Sequence, residues 1–106
     1  MPPGREFKET VMREVRTNPE YARGMLGEAL TLLIEGDTTT AKILLRDLVN
    51  ASLGFRALAA ETGLANKSLQ HMLGPNGNPT IESLAAITQV LLRTLSTKIR
   101  VQAIAV

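Results

Sequence analysis

The chain has 106 residues, 44% hydrophobic and 21% charged, which is enough apolar material for one domain with its own core and too much for a disordered chain. It has no cysteine, so disulfide staples, thiolate metal ligands and cysteine nucleophiles are excluded, and a reducing, cytoplasmic setting fits. The net charge of +2 is unevenly spread, with seven Lys/Arg against eight Asp/Glu in residues 1–54 but five against two in residues 55–106, and the basic excess of the second half suits approach to phosphate.

Met1-Pro-Pro-Gly-Arg-Glu lacks the apolar run of a signal peptide, and no stretch reaches the roughly 18 apolar residues of a membrane span. A cytoplasmic protein without a membrane partner is expected. Residues 1–4 are expected to fray. Phe7, Val11 and Val15, with Met12 beside them, then predict an amphipathic helix over 5–17. Asn18-Pro19 ends it and opens a second helix to about Glu35, with Ala22, Leu26, Ala29, Leu30 and Leu33 facing inward and Gly36 as its stop. Asp37-Thr38 caps a third helix over 39–52, buried on Ala41, Leu44, Leu45, Leu48 and Val49. Thr38-Thr39-Thr40 reads as helix capping and not as a nucleophile.

Residues 55–73 read as two short helices joined at Gly63. Leu58 and Ala59 face inward from the first helix, and Leu69, Met72 and Leu73 from the second. Ala59 is small where two steeply crossing helices touch, Gly63 supplies positive φ in the turn, and Leu64 plugs the corner. The spacing Ala59, Gly63, Leu69 is that of a helix-turn-helix. An ordinary corner in an all-α core has the same spacing. The outer face separates the two readings, because Asn66, Lys67, Ser68, Gln70 and His71 include no carboxylate, which suits a polyanion. Gly74-Pro-Asn-Gly-Asn-Pro79 is a stiff, turn-rich loop. Thr80 caps a last helix over 81–95 with a stripe of Ile81, Leu84, Ala85, Thr88, Leu91, Leu92 and Leu95. Ile87 and Val90 are left over as apolar surface for a second copy.

The tail changes period. Thr97, Ile99, Val101, Ala103 and Ala105 alternate with Lys98, Arg100, Gln102 and Ile104, a strand pattern. With no second strand in the chain, its backbone partner is expected to be the same strand of a second copy about a two-fold axis, through Ile99, Val101 and Ala103. The alternative is an unpaired tail. The expectation is therefore a single domain over 1–106, with N-terminal helices 5–52, a helix-turn-helix core 53–95 and a C-terminal strand 96–106.

Residues 53–95, with Gly-Phe-Arg-Ala-Leu-Ala-Ala-Glu-Thr-Gly-Leu and then Gly-Pro-Asn-Gly-Asn-Pro-Thr, resemble the repressor-type (Cro/C1, or XRE) helix-turn-helix proteins. Within that group they are most similar to the addiction-module antidote, HigA-like branch, where a Ser/Gly-Pro-x-Gly-Asn-Pro turn follows the recognition helix. The resemblance implies an all-α bundle of about six helices. It also implies a homodimeric DNA-binding regulator of repressor type, acting on a palindromic operator, with toxin binding as the alternative role. In that role residues 5–52 would hold an endoribonuclease toxin.

Carried onto this sequence, the resemblance makes 66–73 the recognition helix, with Asn66 and Lys67 at base edges and Gln70 and His71 one turn further on. Individually these four also read as solvated surface. Ser68 is expected on a base or a phosphate. Gly54 and Arg56 at one helix start, and Asn78 and Thr80 at another, are expected on phosphates, although the 74–79 loop also reads as a purely structural turn. Ala65 departs from the family's capping Ser or Thr, so either the helix start is loose or Asn66 is itself the cap. One histidine, no cysteine and acidic residues without ligand spacing point away from catalysis, metals and cofactors.

Overall fold

The computed structural model describes residues 3–106, with side chains from Glu6 onward. The described residues form six helices: α1 Pro3–Thr17, α2 Pro19–Ile34, α3 Thr38–Ala51, α4 Gly54–Thr62, α5 Asn66–Met72 and α6 Ile81–Thr94. Pro3 and Gly4 belong to the first turn of α1, two residues ahead of the expected start. Met1 and Pro2, also expected to fray, lie outside the described residues. No helix among the described residues is long and apolar enough to cross a membrane.

Local chemistry sets the helix boundaries. The Asn18 side chain accepts the Tyr21 N–H at 3.3 Å, with Pro19 in the first turn. The Asp37 carboxylate accepts the Thr40 N–H at 3.1 Å. The Thr80 hydroxyl accepts the Ser83 N–H at 3.1 Å. Each satisfies one of the free amides that open a helix. At the end of α2 the Asp37 N–H donates to the Leu32 carbonyl and the Gly36 N–H to Leu33, at 2.8 and 3.2 Å, with Gly36 at φ +98°. This is the paired Schellman termination, and glycine suits its left-handed residue.

The end of α6 repeats the pattern, Thr97 N–H to Leu92 and Ser96 N–H to Arg93, but the left-handed residue is Ser96 at φ +48°. A side chain there costs about 1–2 kcal/mol. Glycine removes that strain and gives back roughly 0.5–1 kcal/mol through its freer unfolded chain. Ser96→Gly is therefore expected to raise stability by somewhat under about 1 kcal/mol, seen as a rise of a few degrees in the thermal midpoint. A lowered midpoint would contradict it.

Helices α1, α2 and α3 pack on one another, α3 packs on α4, and α4 packs on both α5 and α6. One apolar cluster runs through all six, from Val11 and Val15 to Val90 and Leu91. Leu26, Leu45, Leu48, Leu58, Leu69, Leu73, Ile87 and Leu91 are fully buried in it, each contributing about 1.5–3 kcal/mol by leaving water. Among the described residues no polar or charged side chain is buried. The short α5 is thus held through α4 and the core, since seven residues are too few to be helical alone.

Three expectations are corrected. Residues 96–106 form no β-strand, and from Lys98 onward the tail makes no backbone hydrogen bond. Alternating side chains describe one requirement of a strand. The other is a hydrogen-bonded neighbour, and the described residues contain none. Ile99, half-buried, instead lies along α2, where the tail and Leu30, Thr31 and Ile34 border an open groove of about 560 Å³. Ile99, Val101 and Ala103 therefore have no strand through which to join a second copy.

Ile87 and Val90 are not surplus surface either: they are 0% and 3% exposed within the chain itself. The buried stripe of α6 is Leu84, Ile87 and Leu91, spaced three and four apart, and Ile81 and Ala85 of the expected stripe face water. Phe7 is 69% exposed, so the buried face of α1 rests on Val11 and Val15.

Candidate nucleic-acid interface

The site is built on the α4–α5 pair. Gly63 ends α4 at φ +75°, its N–H bonded to the Ala59 carbonyl at 2.9 Å. Thr62 completes the turn. Its hydroxyl donates to the Leu58 carbonyl at 2.8 Å and accepts the Leu64 N–H at 3.2 Å. Leu58 and Leu69 are fully buried, and Ala59 and Leu64 are half-buried against the core. The turn therefore has both a backbone reason (Gly63) and a side-chain reason (Thr62) for its angle.

On α5, Leu69, Met72 and Leu73 point to the core, while Lys67, Ser68, Gln70 and His71 are exposed and Asn66 is half-buried. No Asp or Glu occurs from Thr62 to Ile81. The Gln70 side-chain amide donates to the Asn66 side-chain carbonyl at 2.6 Å, a favourable pair four residues apart on a helix. With that bond made, the outward groups are the Asn66 amide N–H₂ and the Gln70 carbonyl, one donor beside one acceptor.

Ala65 is the N-cap of α5, extended at φ −67°, ψ 137°, and no side chain caps the helix. Asn66 is the first helical residue, so its side chain is spent on Gln70 and not on a cap. Ala65→Ser would place a hydroxyl where it can accept a first-turn amide, and is expected to raise stability by about 1 kcal/mol. Urea denaturation with an unchanged slope checks it, and an unchanged midpoint would contradict it.

The residues expected at phosphates are scattered around this unit. Arg56 is exposed in the first turn of α4, and Gly54 opens that helix at φ +81°, half-buried. Asn78 is exposed in the loop after α5. Thr80 is exposed too, but its hydroxyl is committed to the start of α6, bonded to the Ser83 N–H and hydroxyl. Arg93 of α6 reaches Glu61 of α4 at 3.9 Å with both side chains more than half exposed, a pair that solvent screens to little effect.

Two contributors escaped the sequence reading. Thr62 was unremarked because a threonine at a helix end has many possible uses. Lys42, on α3, donates through Nζ to the carbonyl of Gly77 at 2.7 Å and of Pro75 at 3.4 Å. It is 35 residues from Gly77, and no local pattern signals such a contact. Gly77 in turn is buried against the last turn of α5, where a Cβ would run into the backbone carbonyls of His71 and Met72.

No family model, no curated protein and no solved structure matches the chain.

Proposed function

We propose that the chain is a cytoplasmic, sequence-specific DNA-binding regulator of the repressor-type helix-turn-helix kind, acting as a homodimer on a palindromic operator. The observation that carries this is α5 itself. It is a short helix fixed by its apolar side, and its free side offers Asn66, Lys67, Ser68, Gln70 and His71 without a carboxylate. The donor on Asn66 and the acceptor on Gln70 match the N7 acceptor and N6–H₂ donor of adenine in the major groove. Lys67 suits guanine O6 and N7. Arg56 and the basic excess of residues 55–106 attract the phosphates. A helix of seven residues covers few base pairs, so specificity calls for two copies, with recognition helices about 34 Å apart. Bound across a promoter, such a dimer blocks transcription.

A mobility-shift titration against the DNA upstream of its own gene tests the proposal. Selective binding that weakens steeply with salt is expected. Equal affinity for unrelated duplexes, or none for either, would sink it.

A second role as the antitoxin of a toxin–antitoxin pair is favoured by Phe7 and Tyr21. They stand exposed on α1 and α2, at 69% and 38%, while Val11, Val15, Met25 and Leu26 of the same helices are buried. A basic toxin-like reading frame beside the gene, whose product co-purifies with the wild type and not with a Phe7→Ala, Tyr21→Ala variant, would support it. Co-purification indifferent to both residues would count against it.

A further inference from the structure

The tie between α3 and the loop after α5 has a role beyond folding. We propose that Lys42 is a positioning residue for the reading helix: it sets the seat of α5 by holding residues 75–77 against that helix's last turn. As a statement about recognition it rests on the DNA-binding role of α5, but the mechanical part stands on geometry alone.

The chain of contacts is short. Lys42 Nζ donates to the Gly77 carbonyl at 2.7 Å and reaches the Pro75 carbonyl at 3.4 Å. The Gly77 N–H donates to the Gly74 carbonyl at 3.0 Å, and the Gly74 N–H to the His71 carbonyl at 3.0 Å. Gly77 itself lies so close to the carbonyls of His71 and Met72 that only a hydrogen fits on its Cα. Any shift of the loop is therefore transmitted to the C-terminal turn of α5. A lysine is a donor with three N–H groups and a positive charge, so its bonds to two neutral carbonyls are charge-assisted and stronger than ordinary ones.

Lys42 comes from α3, the helix that also packs on α1, α2 and α4. The orientation of α5 is thereby referred to the most heavily packed part of the molecule, and the reading helix gains a second anchor besides Gly63. Its N-terminal residues carry the base contacts, and its C-terminal end is the part that Lys42 steadies.

The alternative for Lys42 is direct contact with a phosphate, and the salt dependence of binding separates the two. Lys42→Met and Lys42→Arg would be compared with wild type at a temperature well below the unfolding of each. The probes are a duplex selected by the wild type from random DNA and an unselected duplex. Lys42→Met is expected to bind the selected duplex roughly tenfold more weakly, the equivalent of one misplaced base contact. Its affinity for the unselected duplex and its slope of log affinity against log salt are expected to stay unchanged. Lys42→Arg, which keeps the charge and the donors, should recover most of the loss.

A slope reduced by about 0.9 would instead make Lys42 a phosphate ligand and overturn the proposal. Amide hydrogen exchange on the DNA-free proteins is the second arm. Faster exchange at Leu73, Gly74 and Gly77 in Lys42→Met, with α2 amides unaffected, is expected, and unchanged exchange there would overturn the tie. Should the wild type select no DNA, the DNA-binding reading fails while the exchange arm still decides whether Lys42 seats α5.

Discussion

Gly77→Ala is expected to destabilise the chain by about 3 kcal/mol, a fall on the order of 10 °C in thermal midpoint. The reason is not backbone conformation, because Gly77 does not sit at positive φ. It is space. A methyl group at this position would overlap the main-chain carbonyls of His71 and Met72, and backbone cannot turn aside as a flexible side chain can. The loop would have to lift away, which also breaks the Lys42 bond to the Gly77 carbonyl and exposes the buried end of α5. Gly36→Ala and Gly63→Ala serve as the comparison. Both positions have open space around the Cα but positive φ, at +98° and +77° respectively less two for Gly63 at +75°, so they should lose only about 1 kcal/mol each. A Gly77→Ala protein no less stable than these would mean that the loop is free to move.

Asn66→Ala combined with Lys67→Ala is expected to weaken binding to a selected site by about 100-fold or more, at roughly 1–3 kcal/mol for each lost base contact. The fold should survive. Both side chains lie outside the core, alanine is the best helix former, and the lost Gln70–Asn66 bond on an exposed helix is worth only about 0.2–0.5 kcal/mol. Far-UV circular dichroism and urea denaturation check that point, and fluorescence anisotropy with labelled duplex checks the binding. The Gln70 bond adds a finer expectation. Asn66→Ala and Gln70→Ala should be strongly non-additive in a double-mutant cycle, because each removes half of one recognition group. A double variant at Asn66 and Lys67 that binds as the wild type does would move the reading surface off the start of α5.

Much of the helical order was legible in the sequence, for a local reason. Asn18, Asp37 and Thr80 cap, Gly36 and Gly63 terminate, and the three- and four-residue spacing of Leu and Ala marks the buried faces. All of these act within one or two turns of the residues that signal them. What was not legible depends on neighbours distant in sequence. The stripe of α6 was drawn about one residue out of phase, since a helix with apolar residues at 81, 84, 85, 87, 90, 91, 92 and 95 offers several faces and only packing against α4 and the core selects one. The tail's alternation was real as a pattern of side chains, but a strand is a property of two segments. The Lys42–Gly77 bond joins residues 35 apart. At the site, the outward set of α5 could be read from its polar residues. That Asn66 is engaged with Gln70 and is not a cap needed coordinates, because both uses fit the same sequence.

The most direct test is selection of bound duplexes from a random DNA pool, followed by affinity measurement across a range of salt. DNA reading by α5 predicts an enriched palindrome with half-sites one helical turn apart, bound with an affinity that falls linearly in log salt, and no such enrichment by the Asn66→Ala, Lys67→Ala protein. A pool that stays unenriched with the wild type, or one that is enriched equally by the double variant, would contradict it.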